Sequence, residues 1–425
     1  PLMLTTQPAL PVPPVDQAKQ LAQSHPEGMW PAWMRGQGRV WTVVGRPEGG
    51  AESLVGPDGS WEATSSAPAI SAWVMSNGRL AKPSNAQWSL ASGHFPLVTS
   101  TWPAGEVQVS GLLWQEPGSA QWQLRVHNAG PPADISVWVA LRPYQVQPGI
   151  APLYTLGLQS NSVLANGVPA LALGEQPSRV TASTGELGDV SVLAAAGKDS
   201  GAASAEDGAG LASLGLIYDL HLTHNGDKLL AFAAPTGAGP AAIVRDDGAS
   251  LNAWRDLLQP GSISVPDARV TDAYYASLAY ILMSNAGGVL HPGPLLHDAF
   301  WYRDSTYELS ALERNGNLAQ VRRLLAPLTR FQMASGEFPA NVSTHLQVGH
   351  ARGAPEWDSQ GQGIHSLVEY YRFSHDAAWL RQTWPSIDAA ARWLERLVAA
   401  DGSGLLPPGE SAEDLGPATD RHFWD

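Results

Sequence analysis

With 425 residues the chain is too long for one ordinary domain, so two or three are expected, and 44% hydrophobic content supplies enough apolar material for sizeable cores. The formal net charge is -14 with no basic cluster, which speaks against nucleic acid as a partner. The absence of cysteine excludes disulfides and thiolate metal sites, and no apolar run reaches the roughly 18 residues of a membrane-spanning helix.

Residues 1–37 read as a Pro-rich lead-in arm with one short helical stretch near 16–23. From 38 to about 262 the pattern is β. Val107 and Val109 alternate with polar neighbours, as do Trp122, Leu124 and Val126, and then Ile135, Val137, Val139 and Leu141. Turn clusters such as Pro57-Asp58-Gly59 and Pro117-Gly118 separate these runs, with no helix expected between them. This spacing predicts a large antiparallel β-sandwich. The Ala/Gly/Ser-rich stretch 194–210 reads as a loop. The tryptophans of this half, part of a total of 17, are more simply core fillers than ligand contacts.

After 262 the period becomes helical. A first helix carries Val270, Ala273, Tyr274, Ser277, Leu278 and Ile281 on one face, with Pro266 at its start. A second runs over 305–314. A third starts near Leu318 and is expected to kink at Pro327. A fourth carries Ile364, Leu367, Val368 and Tyr371; a fifth carries Ile387, Ala390, Ala391, Leu394, Leu397 and Val398; a sixth begins near His422. The connections alternate between long (285–300, 334–357, 401–421) and short (Asn315-Gly316; Ser374-His375-Asp376). In a ring of antiparallel helix pairs the long connections share one rim, which is where functional groups are expected.

Each long connection carries chemistry suited to a sugar. The first ends in Trp301-Tyr302-Arg303-Asp304-Ser305, where a guanidinium and a carboxylate can bind hydroxyls and the rings can stack. The plainer alternative is that Asp304 or Ser305 only caps the following helix. The second holds Glu356, Trp357, Asp358 and Gln360, with Asp358 or Ser359 as a cap in the plainer reading. The third holds Glu410, Glu413 and Asp414. Glycoside hydrolysis needs one carboxyl to protonate the leaving oxygen and another to activate water or attack carbon, so these three are acid candidates; an ordinary acidic surface loop is the alternative. His291, His297, His345 and His350 follow no metal-ligand spacing, and no metal or other cofactor is expected.

The segment Trp301-Tyr302-Arg303-Asp304-Ser305 resembles the Trp-x-Arg-Asp-Ser signature of glucoamylase-like six-hairpin glycosidases. Asp358-Ser359-Gln360-Gly361-Gln362-Gly363, Trp379-Leu380 and Trp384-Pro385-x-Ile387 are similar to the next hairpins of that superfamily. The resemblance implies that Arg303 and Asp304 grip the sugar at the cleaved position. It makes Glu413 the general acid, with Glu410 second, because a Glu-Glu pair before two aromatics carries that role in the family and Glu413-Asp414 precedes Phe423-Trp424 here.

The fold expected is therefore an antiparallel β-sandwich at 38–262, then the first half of an (α/α)6 toroid at 263–425, with the catalytic base outside this stretch. Half a toroid would expose apolar helix faces, so a fragment of a longer protein is the preferred explanation. The expected function is an inverting glycoside hydrolase acting on an α-glucoside or related oligosaccharide. Trp301, Tyr302, Arg303, Asp304, Glu356, Trp357, Asp358 and Gln360 would contact the substrate. The rivals are a glycoside phosphorylase of the same architecture and a non-catalytic carbohydrate-binding protein. A secreted or periplasmic location is favoured over a cytoplasmic one.

Overall fold

The computed structural model describes residues 14–23, 30–36, 42–83, 86–295, 297–343, 348–349 and 356–409. The chain divides into two compact units. The first comprises Pro1–Val44, Ala51–Ala91 and Pro96–Asp247; the second comprises Gly45–Gly50, Ser92–Phe95 and Gly248–Asp425. The first is predominantly β and the second predominantly helical.

Among the described residues, the β unit holds an eight-stranded and a nine-stranded antiparallel sheet. The first is centred on Ala133–Arg142, which pairs with Ala69–Ser76 on one side and Ser213–Leu222 on the other. The second is centred on Ser119–Asn128, paired with Val107–Glu116 and Gly226–Pro235. Val74, Val137 and Val139 of one sheet share a core with Val109, Leu124 and Phe232 of the other. The alternation read from the sequence is the inward face of this sandwich. The Asn166-Gly167 hairpin, with φ of 51° and 81°, has the two left-handed residues that a tight two-residue connection requires.

The eight-stranded sheet is buried on both faces. Trp73, Trp138, Ala140 and Ile217 point away from the sandwich core and are covered by Trp30, Trp33, Met34 and Tyr144 with the short helix α2 (Val190–Ala195). This explains why Ala69–Ser76 reads as a nearly continuous apolar run. Helix α1 is Pro14–Gln23. Within the cover, Arg142 is 2% exposed, and its Nε donates to Asp189 Oδ2 at 2.8 Å. Its guanidinium lies 4.7 Å from the ring centre of Trp30, 5.1 Å from Tyr144 and 5.4 Å from Trp73. The other oxygen of Asp189 accepts from Ser191 N at 2.6 Å and caps α2. One carboxylate thus answers both a buried cation and a helix start.

The helical unit opens with α3 (Gly248–Leu258) and α4 (Ala268–Met283), followed by α5 (Tyr302–Arg314), α6 (Leu318–Leu324), α7 (Ala326–Arg330), α8 (Asp358–Ser374) and α9 (Ala377–Asp401). Helix α3 lies in the stretch read as β. It is short, and its buried side chains are Ser250, Trp254 and Leu258, too few for its period to stand out. Likewise 194–210, read as a loop, holds the end of α2 and the strand Ser204–Glu206. The break between α6 and α7 sits at Leu325, with Pro327 in the first turn of α7, where its missing N–H costs nothing. Helix α4 buries Leu278, Ala279, Leu282 and Met283, while Val270 is 53% exposed, so of the expected stripe only Leu278 is buried and the inward face is turned away from Ser277 and Ile281 toward Ala279 and Leu282.

Helices α5 and α8 pack closely. Thr306 and Ser366 share a buried hydrogen bond of 2.8 Å. Gly363 is required there, because a Cβ would stand 2.5 Å from the Phe338 ring. The two segments contributed from the N-terminal part of the sequence pack on α4 and its end: Gly50 N donates to Asn285 O at 2.7 Å, and His94 Nδ1 lies 3.0 Å from Asp272 Oδ1.

Glu62 in the β unit is fully buried, and burial pushes its carboxyl up to about 8, opposed only by the hydrogen bond from Val146 N at 3.1 Å. The folded protein therefore holds a proton that the unfolded chain releases above about 4.5. Its stability contribution is complete below that pH and is lost as the pH rises through about 8. Glu62→Gln keeps an acceptor for Val146 N and removes this loss. Urea denaturation is expected to give equal stability at pH 4 and an advantage to the variant at pH 8, on the order of 4 kcal/mol. A variant less stable than the parent at pH 8 would contradict the assignment.

Candidate functional site

Described parts of all three long connections meet. Ala299–Trp301, at the end of the first, pairs with Asn341–Ser343 of the second, which in turn pairs with Val348–Gly349. Trp357, at the end of the second, donates its Nε1 to Pro407 O of the third at 2.9 Å. The short turns lie elsewhere: the one between α8 and α9 is joined to α6 by an ion pair between Arg322 and Asp376.

Arg303 stands in the first turn of α5, and its guanidinium forks. Nη1 donates to Asp358 Oδ2 at 3.0 Å and Nη2 to Glu356 Oε2 at 2.8 Å. Both carboxylates are withdrawn from water, with side chains 3% (Glu356) and 9% (Asp358) exposed. Burial pushes Asp358 up from the usual aspartate value, and the Arg303 charge and hydrogen bond pull it back. Burial would push the Arg303 guanidinium down; Asp358 and Glu356 hold it above its usual value. A planar fork suits this bidentate task as an ammonium cannot.

The other expected contact residues separate into two groups. Trp301, Asp304 and Trp357 are partly exposed around this clamp. The Trp301 ring meets His297 edge-on at 5.7 Å, and the Trp357 ring lies 5.7 Å from Trp393. Asp304 occupies the first turn of α5, where the helix dipole favours a carboxylate. It is not the cap: the helix starts at Tyr302, and its N-cap, Trp301, makes no side-chain capping bond.

Tyr302 and Gln360, by contrast, lie in the interior. Tyr302 is 1% exposed, donates its hydroxyl to Leu328 O at 2.7 Å and packs between Phe300 and Phe338. Gln360 is 1% exposed; its Oε1 accepts from Phe338 N at 2.9 Å, and its Nε2 donates to Phe338 O. Their hydrogen-bonding groups are spent on the loop backbone, so the expectation that they meet substrate is corrected: they anchor the residues that carry the clamp. Glu410, Glu413 and Asp414 lie outside the described residues, as do Phe423 and Trp424.

Three features escaped the sequence reading. Glu308 follows Asp304 by one turn of α5; burial and then the Asp304 charge push its carboxyl up to about 8. Tyr307 projects from α5 with 67% of its surface exposed. Together with Gln362 and His365 of α8, it lines a groove of about 780 Å³ that reaches Asp358. The spacing of Asp304 and Glu308 was a usable signal, since carboxyls four apart on a helix are neighbours. The groove was not legible, because it depends on how α5 sits against α8. Among the described residues no His/Cys/Asp/Glu group of metal-binding form occurs, and no helix is long and apolar enough to cross a membrane.

No protein-family model matches the sequence, and no curated protein matches it. Among solved structures, the chain is similar to a bacterial glucoamylase complexed with acarbose, with a TM-score of 0.59 and 12% identity over 84% of this chain and 58% of that one. Weaker likenesses are to a glycosyl hydrolase of family GH92 (TM-score 0.36, 10% identity, 89% of this chain and 65% of that one) and to a rhamnosidase from Klebsiella oxytoca with rhamnose bound (TM-score 0.32, 12% identity, 84% and 61%). The chain spans 58% of the length of the glucoamylase it matches. The likeness is one of fold.

Replacing Arg303 tests the clamp. Arg303→Met removes the cation that Glu356 and Asp358 share and is expected to cost about 3–5 kcal/mol in urea denaturation. Adding Glu356→Gln and Asp358→Asn to that variant removes the stranded charges and should recover most of the loss. Failure of the triple variant to recover would mean that Arg303 stabilises the unit by packing and not by charge.

Proposed function

We propose that the chain is part of a glycoside hydrolase that cleaves an α-glucoside or related oligosaccharide with inversion, by carboxylate general acid–base catalysis. The observation that carries this reading is the Arg303 guanidinium forked between Glu356 and Asp358, flanked by Trp301 and Trp357, where the three long connections meet. Charged groups held rigid by one another present fixed acceptors and donors to hydroxyls, and partly exposed indoles offer faces for the apolar side of a sugar ring. The likeness in fold to a bacterial glucoamylase complexed with acarbose agrees with that chemistry.

In this reading the helices form the first half of an (α/α)6 toroid, and Arg303 and Asp304 hold the sugar at the cleaved bond. Glu413 protonates the leaving oxygen, with Glu410 the second choice, and a base outside the residues assigned here activates water. The acid must keep its proton near neutral pH, so its pKa has to be raised by its surroundings. No cofactor enters the reaction.

The test uses the full-length gene product, screened against α- and β-linked oligosaccharides with and without phosphate, beside Glu413→Gln. Sugar release without phosphate, reduced about 10²–10⁴-fold in the variant while binding persists, is the expected result. Turnover that requires phosphate would make the protein a phosphorylase. Binding without turnover would make it a carbohydrate-binding protein, and full activity in the variant would remove Glu413 as the acid.

A further inference from the structure

The two helices that carry the clamp are tied again at their other ends. Helices α5 and α8 run side by side in the same direction: Arg303 meets Asp358, Thr306 meets Ser366, and Arg314 Nη2 donates to Glu369 Oε1 at 3.1 Å. One residue before Arg314 stands Glu313, which is 2% exposed. Both of its carboxyl oxygens are closed off from solvent, and neither has a hydrogen-bond partner. The carboxylate that acts on it from α8, Glu369, is already shared: its Oε1 takes Arg314, and its Oε2 lies 3.0 Å from His365 Nε2.

An ionised carboxylate in that position would lack both water and a donor, so the group keeps its proton instead. Burial first, and then the Glu369 charge, push Glu313 up to about 8, while Arg314 pulls it back. Of the charged groups on the other helices packed against α5, Arg322 of α6 pairs with Asp376, and Asp272 of α4 lies beside His94. Tyr274 of α4 is turned to Asn315, whose Nδ2 donates to its hydroxyl at 2.9 Å. Arg314 and His365, the two groups that Glu369 holds, also line the groove between α5 and α8. The state of Glu313 therefore bears on one wall of that groove.

We propose that Glu313 makes the C-terminal ends of α5 and α8 a proton-controlled joint: with its proton on, the ends stay closed and Glu369 keeps Arg314 and His365 in the groove wall, and when the ends part Glu313 meets water and gives its proton to it. The closed joint holds a proton that the open one releases above about 4.5, so closure is strongest below that pH and is lost as the pH rises through about 8. Mild acid tightens the joint. The inference is independent of the carbohydrate reading and adds a conformational control at the end of the groove away from Asp358.

Amide hydrogen exchange of the full chain at pH 5 and pH 8, corrected for the intrinsic pH dependence of amide exchange, tests it. In the parent, segments 309–315 and 366–374 are expected to lose protection by about tenfold or more between the two values. Glu313→Gln should keep the protection of both segments nearly constant. Glu308→Gln removes the other carboxyl of α5 that is pushed up to about 8, and should leave the loss in place. Constant protection in the parent, the same loss in a folded Glu313→Gln variant, or abolition of the loss by Glu308→Gln overturns the inference. If Glu313→Gln does not fold, the parent and Glu308→Gln decide: a loss present in both supports the joint, and its absence from either removes it.

Discussion

Glu356 and Asp358 stand two residues apart at the entry to α8, both withdrawn from water, with the Arg303 guanidinium forked between them. Two like charges in a low-dielectric setting repel strongly and lose hydration; one forked cation offsets both costs at once. Because Arg303 is fixed by the first turn of α5 and the carboxylates by the start of α8, the pairing sets where the second long connection must end. The backbone anchors beneath it serve the same end: Gln360 and Ser359 hold Phe338, and Tyr302 holds Leu328, so that the loop reaches the clamp already shaped. The groups that face solvent are supported by a layer of spent hydrogen bonds.

The β unit solves a similar problem in the same way. Arg142 is buried more deeply than Arg303, and its carboxylate partner likewise sits at the start of a helix. The difference lies in what surrounds the cation. Three aromatic rings enclose Arg142, so nothing outside the protein can reach it, whereas Arg303 and Asp358 stand beside an open groove. The first arrangement pins the cover of a sheet; the second leaves polar atoms available.

The long, strongly periodic elements were legible from residues alone. Alternation marked the strands whose one face meets the sandwich core, and the helical period marked α5, α8 and α9. Elements that break these assumptions were not legible. Ala69–Ser76 is apolar on both faces, and α3 turns only Ser250, Trp254 and Leu258 inward. At the site, residue type identified the right neighbourhood but not each role. Tyr302 and Gln360 have the side chains a sugar site uses, but burial is a property of the packing, and the packing gives their polar atoms to the backbone. Arg303 and Asp358 are of no rarer type; what distinguishes them is a partner more than fifty positions away.

The helical unit is also discontinuous in sequence. Gly45–Gly50 and Ser92–Phe95 belong to it, although each interrupts the β unit. Gly45 lies so close to Met283 that a side chain there would collide with it, and Gly50 and His94 bond to Asn285 and Asp272. At the level of the gene, then, the two units are not cassettes. A recombination junction placed at 247/248 would separate α4 from the segments that close its surface. The helical half could be inherited or exchanged intact only together with two short inserts far upstream, which ties the descent of the two halves to one another.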